Sequence, residues 1–251
     1  MKKIIYQFLG FFAIAVLPAC EDAVYKTDLS KVTDDVVWED PKFIKATFDN
    51  VMHFATPGRE WLLLGHSDES KNSTRVLYDN YVANDLDDEG YSDNVDRWPY
   101  ETLRKINRFL DHAGYDGFAS AQPMTSKLAV NEKEDMIGQL LVVRAYHYFD
   151  LVRTYGGVPL LLHEQEATSN IEDLQTPRAK TSECVEQIIK DLNAAIALLN
   201  ASFPMKRNDG HIGKGVAYAL KGKVLLYYAS PQFTRQTPAG TKPAEQRWNE
   251  A

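Results

Sequence analysis

The residues best suited to hold a metal ion form the acidic segment from Asp85 to Asp96. Oxygen-bearing side chains occupy its positions one, three, five, nine and twelve, with glycine at six, which is the spacing of a calcium-binding loop. Three departures weaken the match: Glu89 is at position five, Ser92 replaces an aliphatic residue at eight, and the short Asp96 replaces a bidentate glutamate at twelve. We therefore interpret the segment as an acidic turn and predict no metal site.

Acid–base or nucleophilic chemistry has equally little support in the sequence. His66, Asp68 and Glu69 could contribute to a hydrolase or metal site, but the six histidines are dispersed and form no metal-binding pair. His147 lies within an aromatic helix, and we interpret it as a core histidine whose ring is hydrogen-bonded. Cys184 lies near the start of an amphipathic helix without a histidine or asparagine signature nearby, so we interpret it as a structural thiol. The sequence predicts no enzyme activity and no cofactor.

A cysteine with a different chemical role lies near the N-terminus. Two lysines precede an apolar run from Ile4 to Val16, which is too short to span a bilayer and fits the apolar core of a signal peptide. The run ends at Leu17-Pro18-Ala19-Cys20, which resembles a bacterial lipobox, where the cysteine thiol receives a diacylglyceryl group. We predict a signal peptide over residues 1–19, lipidation of Cys20, and a polar tether over residues 20–38.

The composition limits the partners of the chain. Of its 251 residues, 44% are hydrophobic and 25% are charged, which indicates a packed core. The net charge is −7, and removal of the leader with its two lysines makes it −9. Because a basic surface is needed to neutralise phosphates, nucleic acid is not expected as a partner. Glu21 and Asp22 directly follow Cys20 and resemble the acidic tags of surface-exposed Bacteroidetes lipoproteins.

Apolar residues recur at helical spacing along the rest of the chain. One helix is predicted from Pro41 to the Pro57-Gly58 stop, and stronger helices are predicted at roughly 98–113, 131–155, 181–199 and 214–229. These four strong helices form two hairpins, each with an apolar face for its neighbour, which predicts a mainly α fold of tetratricopeptide-like hairpins; a plain helical bundle is the alternative. Val158 to Leu162 is the only strand candidate, and residues 66–97 form a long polar loop.

The second strong helix carries the most specific motif of the chain. Residues 144–162 read RAYHYFDLVRTYGGVPLLL, which is similar to the RAxxYFxLVxxYGGVPL motif of the SusD/RagB family. Ile106-Asn107-Arg108, residues 176–196 and residues 215–231 resemble further motifs of that family in the same order. The resemblance implies a right-handed α-α superhelix with long irregular loops. We assign the motif itself to the fold, since its aromatic residues suit a buried helix and Gly-Gly-Val-Pro suits a helix stop.

The resemblance also implies a function. Members of this family are outer-membrane lipoproteins at the cell surface that bind oligosaccharide without cleaving it and deliver it to a TonB-dependent transporter of the SusC type. Their ligand contacts lie largely in loops, and the matching loop here gives Asp68, Tyr78, Tyr81 and Asn84 as the best candidates. A loop that faces solvent or the transporter is the alternative for each of these residues.

Two other functions remain open at this stage. A helical protein-interaction or peptide-binding scaffold, similar to RagB, would dock on the transporter without holding glycan, whereas a helical-barrel glycosidase would have paired carboxylates at a cleft. Family members are longer than this chain, and the helix that starts at Ala244 has no stop signal. We therefore predict that residues 39–251 are the N-terminal portion of a SusD-like helical domain.

Cys20 is predicted to carry the lipid, and Cys184 supplies a matched control. In cells grown with radiolabelled palmitate, the chain should incorporate label. Cys20→Ala should lose the label and leave the membrane fraction, because several buried acyl chains supply the whole anchor at ~0.8 kcal/mol per methylene. Cys184→Ala should remain labelled. A Cys20→Ala chain that still carries palmitate would contradict the prediction.

Overall fold

Helices form all the regular secondary structure in the described part of the chain, which contains no strand, and the predicted mainly α class is confirmed. The computed structural model describes residues 34–55, 98–118, 120, 123–124, 128–165, 171–199, 210–234 and 243–251. The α-helices in chain order are α1 (Asp34–Glu39), α2 (Pro41–Ala55), α3 (Tyr100–His112), α4 (Val130–Tyr155), α5 (Thr181–Leu198), α6 (Lys214–Ala229), α7 (Pro231–Thr234) and α8 (Ala244–Glu250). Single 3₁₀ turns occupy Tyr115–Gly117 and Ile171–Leu174.

The long helix α4 is the centre of the packing. Four consecutive residues, Leu140 to Val143, are all buried. Because four residues complete a full turn of an α-helix, α4 is covered by neighbours on every side at this point. It packs against α2, α3, α5 and α6. The helix ends at Gly156, whose φ of 74° lies in the region that glycine adopts without steric cost.

The helices pack as successive hairpins. Helix α5 lies between α4 and α6 and contacts both, while α3 contacts α4 on another side. At Gly138 a Cβ atom would lie 2.8 Å from the side chain of Leu199, so the α4 backbone approaches the end of α5 closely. Ala195 of α5 and Ala217 of α6 are fully buried. Small side chains therefore allow neighbouring helices to approach along this part of the array.

The packed body begins before the predicted boundary at residue 39. Helix α1 covers part of the segment that the sequence predicts as a tether, and its Trp38 is buried in the core. The indole ring stacks on His112 at 4.1 Å between ring centroids and meets Phe109 edge-on at 5.7 Å. A helix of six residues is too short to produce a periodic apolar pattern, so only the contacts with α3 identify it as part of the fold.

The strand candidate at Val158 to Leu162 does not form a strand. This stretch belongs to an extended segment, residues 158–165, that lies along α3 without a partner strand. Side chains satisfy its backbone instead: Tyr100 Oη donates to the Pro159 carbonyl at 3.0 Å and Asn107 Nδ2 donates to the Leu161 carbonyl at 2.7 Å. Val158 is buried and residues 159–162 are half-buried against helices rather than in a sheet, and periodicity alone does not separate these cases. We call residues 158–165 the extended segment.

None of the described helices is both long and apolar enough to cross a bilayer.

Gly157 joins α4 to the extended segment at a point where no side chain fits. A Cβ atom at Gly157 would lie 2.1 Å from the Ala179 carbonyl oxygen, so Gly157→Ala requires a backbone shift and should lower the free energy of unfolding by about 1–3 kcal/mol. Gly222→Ala is the matched control, since nothing lies within 4 Å of its Cβ position and alanine favours the helix. Urea denaturation measures both. Equal stability of the two variants would contradict the close approach.

Candidate functional site

The residues that the sequence nominates for ligand contact lie outside the described residues. This applies to Asp68, Tyr78, Tyr81 and Asn84, to the acidic segment from Asp85 to Asp96, and to the lipid site Cys20. Each of these assignments stays a prediction. Among the described residues, no group of three or more histidine, cysteine, aspartate or glutamate side chains is arranged to hold a metal ion.

The described structure contains an aromatic cluster that includes Trp98, which follows the predicted loop in the sequence. Trp98 precedes α3, and its indole stacks almost parallel on Tyr155, the last residue of α4, at 4.4 Å and 12°. Tyr100 lies next to it at 5.9 Å and 17°. Although it is stacked, Trp98 keeps 47% of its surface exposed. We call Trp98, Tyr100 and Tyr155 the Trp98 platform.

Hydrogen bonds fix the base of the Trp98 platform. Tyr100 donates through Oη to the Pro159 carbonyl at 3.0 Å, and burial raises the pKa of Tyr100 to about 12, so the phenol remains a donor at neutral pH. Arg178 donates to the carbonyls of Gly157 at 2.7 Å and Tyr155 at 2.9 Å, which satisfies the end of α4. The half-exposed indole is thus held by groups from α3, α4 and the segment before α5.

A fixed, half-exposed indole has a defined use in binding. Its flat apolar face suits a ligand with an apolar face of similar size, and its backing by Tyr155 limits the side-chain entropy lost on binding. Sequence reasoning missed this site because it treated Trp98 only as the start of a helix. Tyr155 is far along the chain from Trp98, and no local pattern indicates that the two rings meet.

The family motif in α4 has its first residue, Arg144, in the core. Arg144 is buried and pairs in two places with the buried Asp191 of α5, Nε to Oδ2 at 2.7 Å and Nη2 to Oδ1 at 2.9 Å. Its Nη1 also donates to Asn107 Oδ1 at 3.1 Å and to the Leu162 carbonyl at 3.3 Å. The prediction that the motif belongs to the fold agrees with this arrangement. We call Arg144, Asp191 and Asn107 the buried polar network.

Electrostatics keep the arginine of this network charged. Burial alone lowers the pKa of Arg144, but the charge of Asp191 and its hydrogen bonds outweigh that effect, and the pKa is raised overall. Gln187 Nε2 also donates to Asp191 Oδ1 at 2.7 Å, so the carboxylate has several donors. A buried pair with this many partners meets the condition under which the desolvation cost is offset.

The other residues considered for chemistry have structural roles. His147 Nε2 donates to the Ala55 carbonyl at 2.8 Å, and desolvation lowers the pKa of the ring, so it is a neutral histidine that is hydrogen-bonded as predicted, although it is partly buried rather than in the core. Cys184 is fully buried, and burial raises the pKa of its thiol, which disfavours the reactive thiolate. Arg153 pairs with Asp150 on the surface of α4. None of these three residues lies at an open site where it could act as a nucleophile or base.

Comparisons with known proteins identify a matching family and several relatives of this chain. Residues 60–226 match the model of a SusD-like family described as "Starch-binding associating with outer membrane". The SusD-like protein P38 of Formosa agariphila is 23% identical over 234 residues, which cover 90% of this chain and 42% of that protein. A SusD-like protein of Bacteroides fragilis has a crystal structure that is 32% identical in sequence, with a TM-score of 0.60 over 81% of this chain and 38% of that one.

A third relative is a laminarin-binding SusD-like protein of known structure. It is 22% identical, with a TM-score of 0.51 over 82% of this chain and 46% of that one, and supports the fold. The chain belongs to the SusD-like family, and its tetratricopeptide-like helical fold is the one that the sequence predicts. It spans less than half the length of these three relatives.

The buried polar network should dominate stability. Arg144→Met leaves the carboxylate of Asp191 buried without its cation, and the free energy of unfolding should fall by about 3–5 kcal/mol. Arg153→Met is the matched control on the same helix, where loss of an exposed pair should cost at most about 1 kcal/mol. Both are measured by urea denaturation.

A double variant tests the reason for that loss. Arg144→Met combined with Asp191→Leu removes both charges, so it should be more stable than Arg144→Met alone. A double variant less stable than Arg144→Met would show that the uncompensated carboxylate is not the main cost.

Proposed function

We propose that the protein is a lipoprotein of the outer-membrane surface that binds oligosaccharide and delivers it to a partner TonB-dependent transporter of the SusC type without cleaving it. Membership of a family described as starch-binding and associated with the outer membrane supports this function. The observation that carries it is the half-exposed indole of Trp98, held parallel to Tyr155. An indole fixed in this way offers a flat surface to the apolar face of a sugar ring.

The physical argument concerns how sugars are held. A pyranose ring has C–H groups on its faces and hydroxyls around its edge, so a binding surface needs an aromatic face together with hydrogen-bonding side chains. Trp98 supplies the face. Asp68, Tyr78, Tyr81 and Asn84 belong to the segment that leads directly into Trp98, and we propose them as the partners of the hydroxyls. Because the base of the platform is hydrogen-bonded, little ordering cost should accompany binding.

The lipid anchor completes the proposal. Signal-peptide removal after Ala19 would leave Cys20 as the lipid-bearing N-terminus, followed by Glu21 and Asp22. Several acyl chains make such attachment effectively permanent, whereas one chain would be marginal. The helical body from α1 onward would then be held at the membrane surface, where a transporter partner is located.

Binding of defined oligosaccharides tests the proposed function. Calorimetric titration with maltoheptaose and laminariheptaose should show binding of at least one of them, and chromatography should recover that ligand uncleaved. Trp98→Ala should weaken binding about tenfold, which corresponds to ~1.4 kcal/mol, whereas Trp98→Phe should retain most of the affinity. Trp248→Ala is the matched control, since Trp248 is 49% exposed on α8, a helix that packs against α6.

The alternatives give different outcomes in the same experiment. Release of smaller sugars would favour the glycosidase. Association with an outer-membrane barrel together with no saccharide binding would favour the helical protein-interaction or peptide-binding scaffold. Equal losses in Trp98→Ala and Trp248→Ala would remove the Trp98 platform from the proposal.

A further inference from the structure

A second pair of exposed rings lies at the other end of α3. Phe118 and His163 stack at 4.3 Å between ring centroids and 21° between planes. Phe118 keeps 38% of its surface exposed and the His163 side chain keeps 50%. The two rings are stacked, so each covers one face of the other and both remain partly exposed to solvent. We call Phe118 and His163 the Phe118 pair.

The imidazole of this pair has a fixed orientation. His163 Nδ1 lies 2.8 Å from Oδ1 of the buried Asp111, and because a carboxylate only accepts, Nδ1 carries the hydrogen. The second oxygen of Asp111 accepts the backbone N–H of Glu164 at 2.7 Å. Within the described part of the chain, the other ring nitrogen, Nε2, has no hydrogen-bond partner. It is therefore available for a hydrogen bond with a ligand hydroxyl.

The turn before Phe118 has an unusual backbone. Gly114, Asp116 and Gly117 all have positive φ, of 68°, 60° and 78°. Aspartate tolerates this region better than most residues but still adopts it uncommonly. Lys190 of α5 donates to Asp116 Oδ2 at 2.9 Å and ties the turn to the helical body. The position of Phe118 is thus set by a specific turn rather than by burial of its ring.

The two aromatic surfaces flank one structural strip. One face of α3 contacts the extended segment through residues at helical spacing, namely Tyr100, Arg104, Asn107, Arg108 and Asp111. The Trp98 platform lies at the start of this strip, where Tyr100 meets Pro159, and the Phe118 pair lies at its end, where Asp111 meets His163. Eleven residues of helix and four of extended chain separate these contacts by roughly 13–17 Å.

Polar groups line the strip between the two surfaces. Arg104 Nη1 pairs with Glu164 Oε1 at 3.0 Å, and their side chains remain 48% and 24% exposed. Guanidinium donors and carboxylate acceptors in partial contact with water suit the hydroxyls of a sugar. A ligand lying along the strip would meet an aromatic face at each end and hydrogen-bonding groups between them.

We propose that the Phe118 pair is a second saccharide subsite and that the ligand is an oligosaccharide long enough to contact both it and the Trp98 platform. This rests on the proposed function, since it assigns the length of the ligand bound there. The contacts that support the two surfaces are roughly 13–17 Å apart, which exceeds a single sugar ring and requires several linked rings. A monosaccharide or disaccharide would occupy one end only.

The dependence of binding affinity on ligand length tests this proposal. Maltotriose and maltoheptaose, and the laminari-oligosaccharides of the same lengths, are titrated into the wild-type chain, Phe118→Ala and Phe118→Trp. Phe118→Ala should weaken heptasaccharide binding about fivefold or more and leave trisaccharide binding at its wild-type level, while Phe118→Trp should retain heptasaccharide affinity. Phe43→Ala is the matched control, since Phe43 is also 38% exposed but lies on α2. Phe118→Leu keeps an apolar side chain without an aromatic face if Phe118→Ala fails to fold.

Each outcome decides the proposal. Selective loss of heptasaccharide affinity in Phe118→Ala, with Phe43→Ala unchanged, supports the second subsite. Unchanged heptasaccharide binding overturns it, and so does an equal loss for both lengths. If Trp98→Ala weakens binding while Phe118→Ala does not, the second subsite fails and the proposed function stands. If the wild-type chain binds none of the four oligosaccharides, both fail.

Discussion

The buried ion pair between Arg144 and Asp191 is the interaction on which the arrangement of the described helices depends. A guanidinium and a carboxylate removed from water are tolerated only when their hydrogen-bonding groups are satisfied. Three further elements provide the partners of Arg144: Asp191 comes from α5, Asn107 from α3, and the Leu162 carbonyl from the extended segment. The pair therefore fixes the relative position of α3, α4 and α5, because moving any one of them leaves a buried charge or dipole without a partner.

Both exposed aromatic surfaces depend on that arrangement without taking part in it. The extended segment leaves α4 through Gly156 and Gly157, passes the buried polar network at Leu162, and reaches His163 next to Asp111. Near its start, the Pro159 carbonyl accepts a hydrogen bond from the hydroxyl of Tyr100, which lies next to Trp98. A segment without regular secondary structure is thus held by side-chain hydrogen bonds at several points. This is the form of support that binding surfaces need when loops carry their contacts.

Comparison of the predicted and observed elements shows where sequence patterns succeed. The helix predicted at 131–155 is observed as Val130–Tyr155, because its apolar residues and its Gly-Gly-Val-Pro stop are local signals. The strand candidate at Val158 to Leu162 forms no strand, because a short apolar run is compatible with packing against either helices or strands. The sequence predicts most of α1 as part of a tether, because a helix of six residues has too little periodicity to be recognised. The contact of Trp38 with Phe109 of α3 shows that it belongs to the packed body.

The sequence by itself determined the helical class, the positions of the long helices, the family, and the structural character of Cys184 and His147, because each follows from local periodicity or from a contiguous motif. Only the tertiary structure decided which groups meet. That Arg144 pairs with Asp191 depends on how α4 packs on α5. In the same way, two exposed stacks form between residues far apart in the chain, Trp98 with Tyr155 and Phe118 with His163. Contacts of this kind carry no local pattern, since their energy is gained only after the helices have packed.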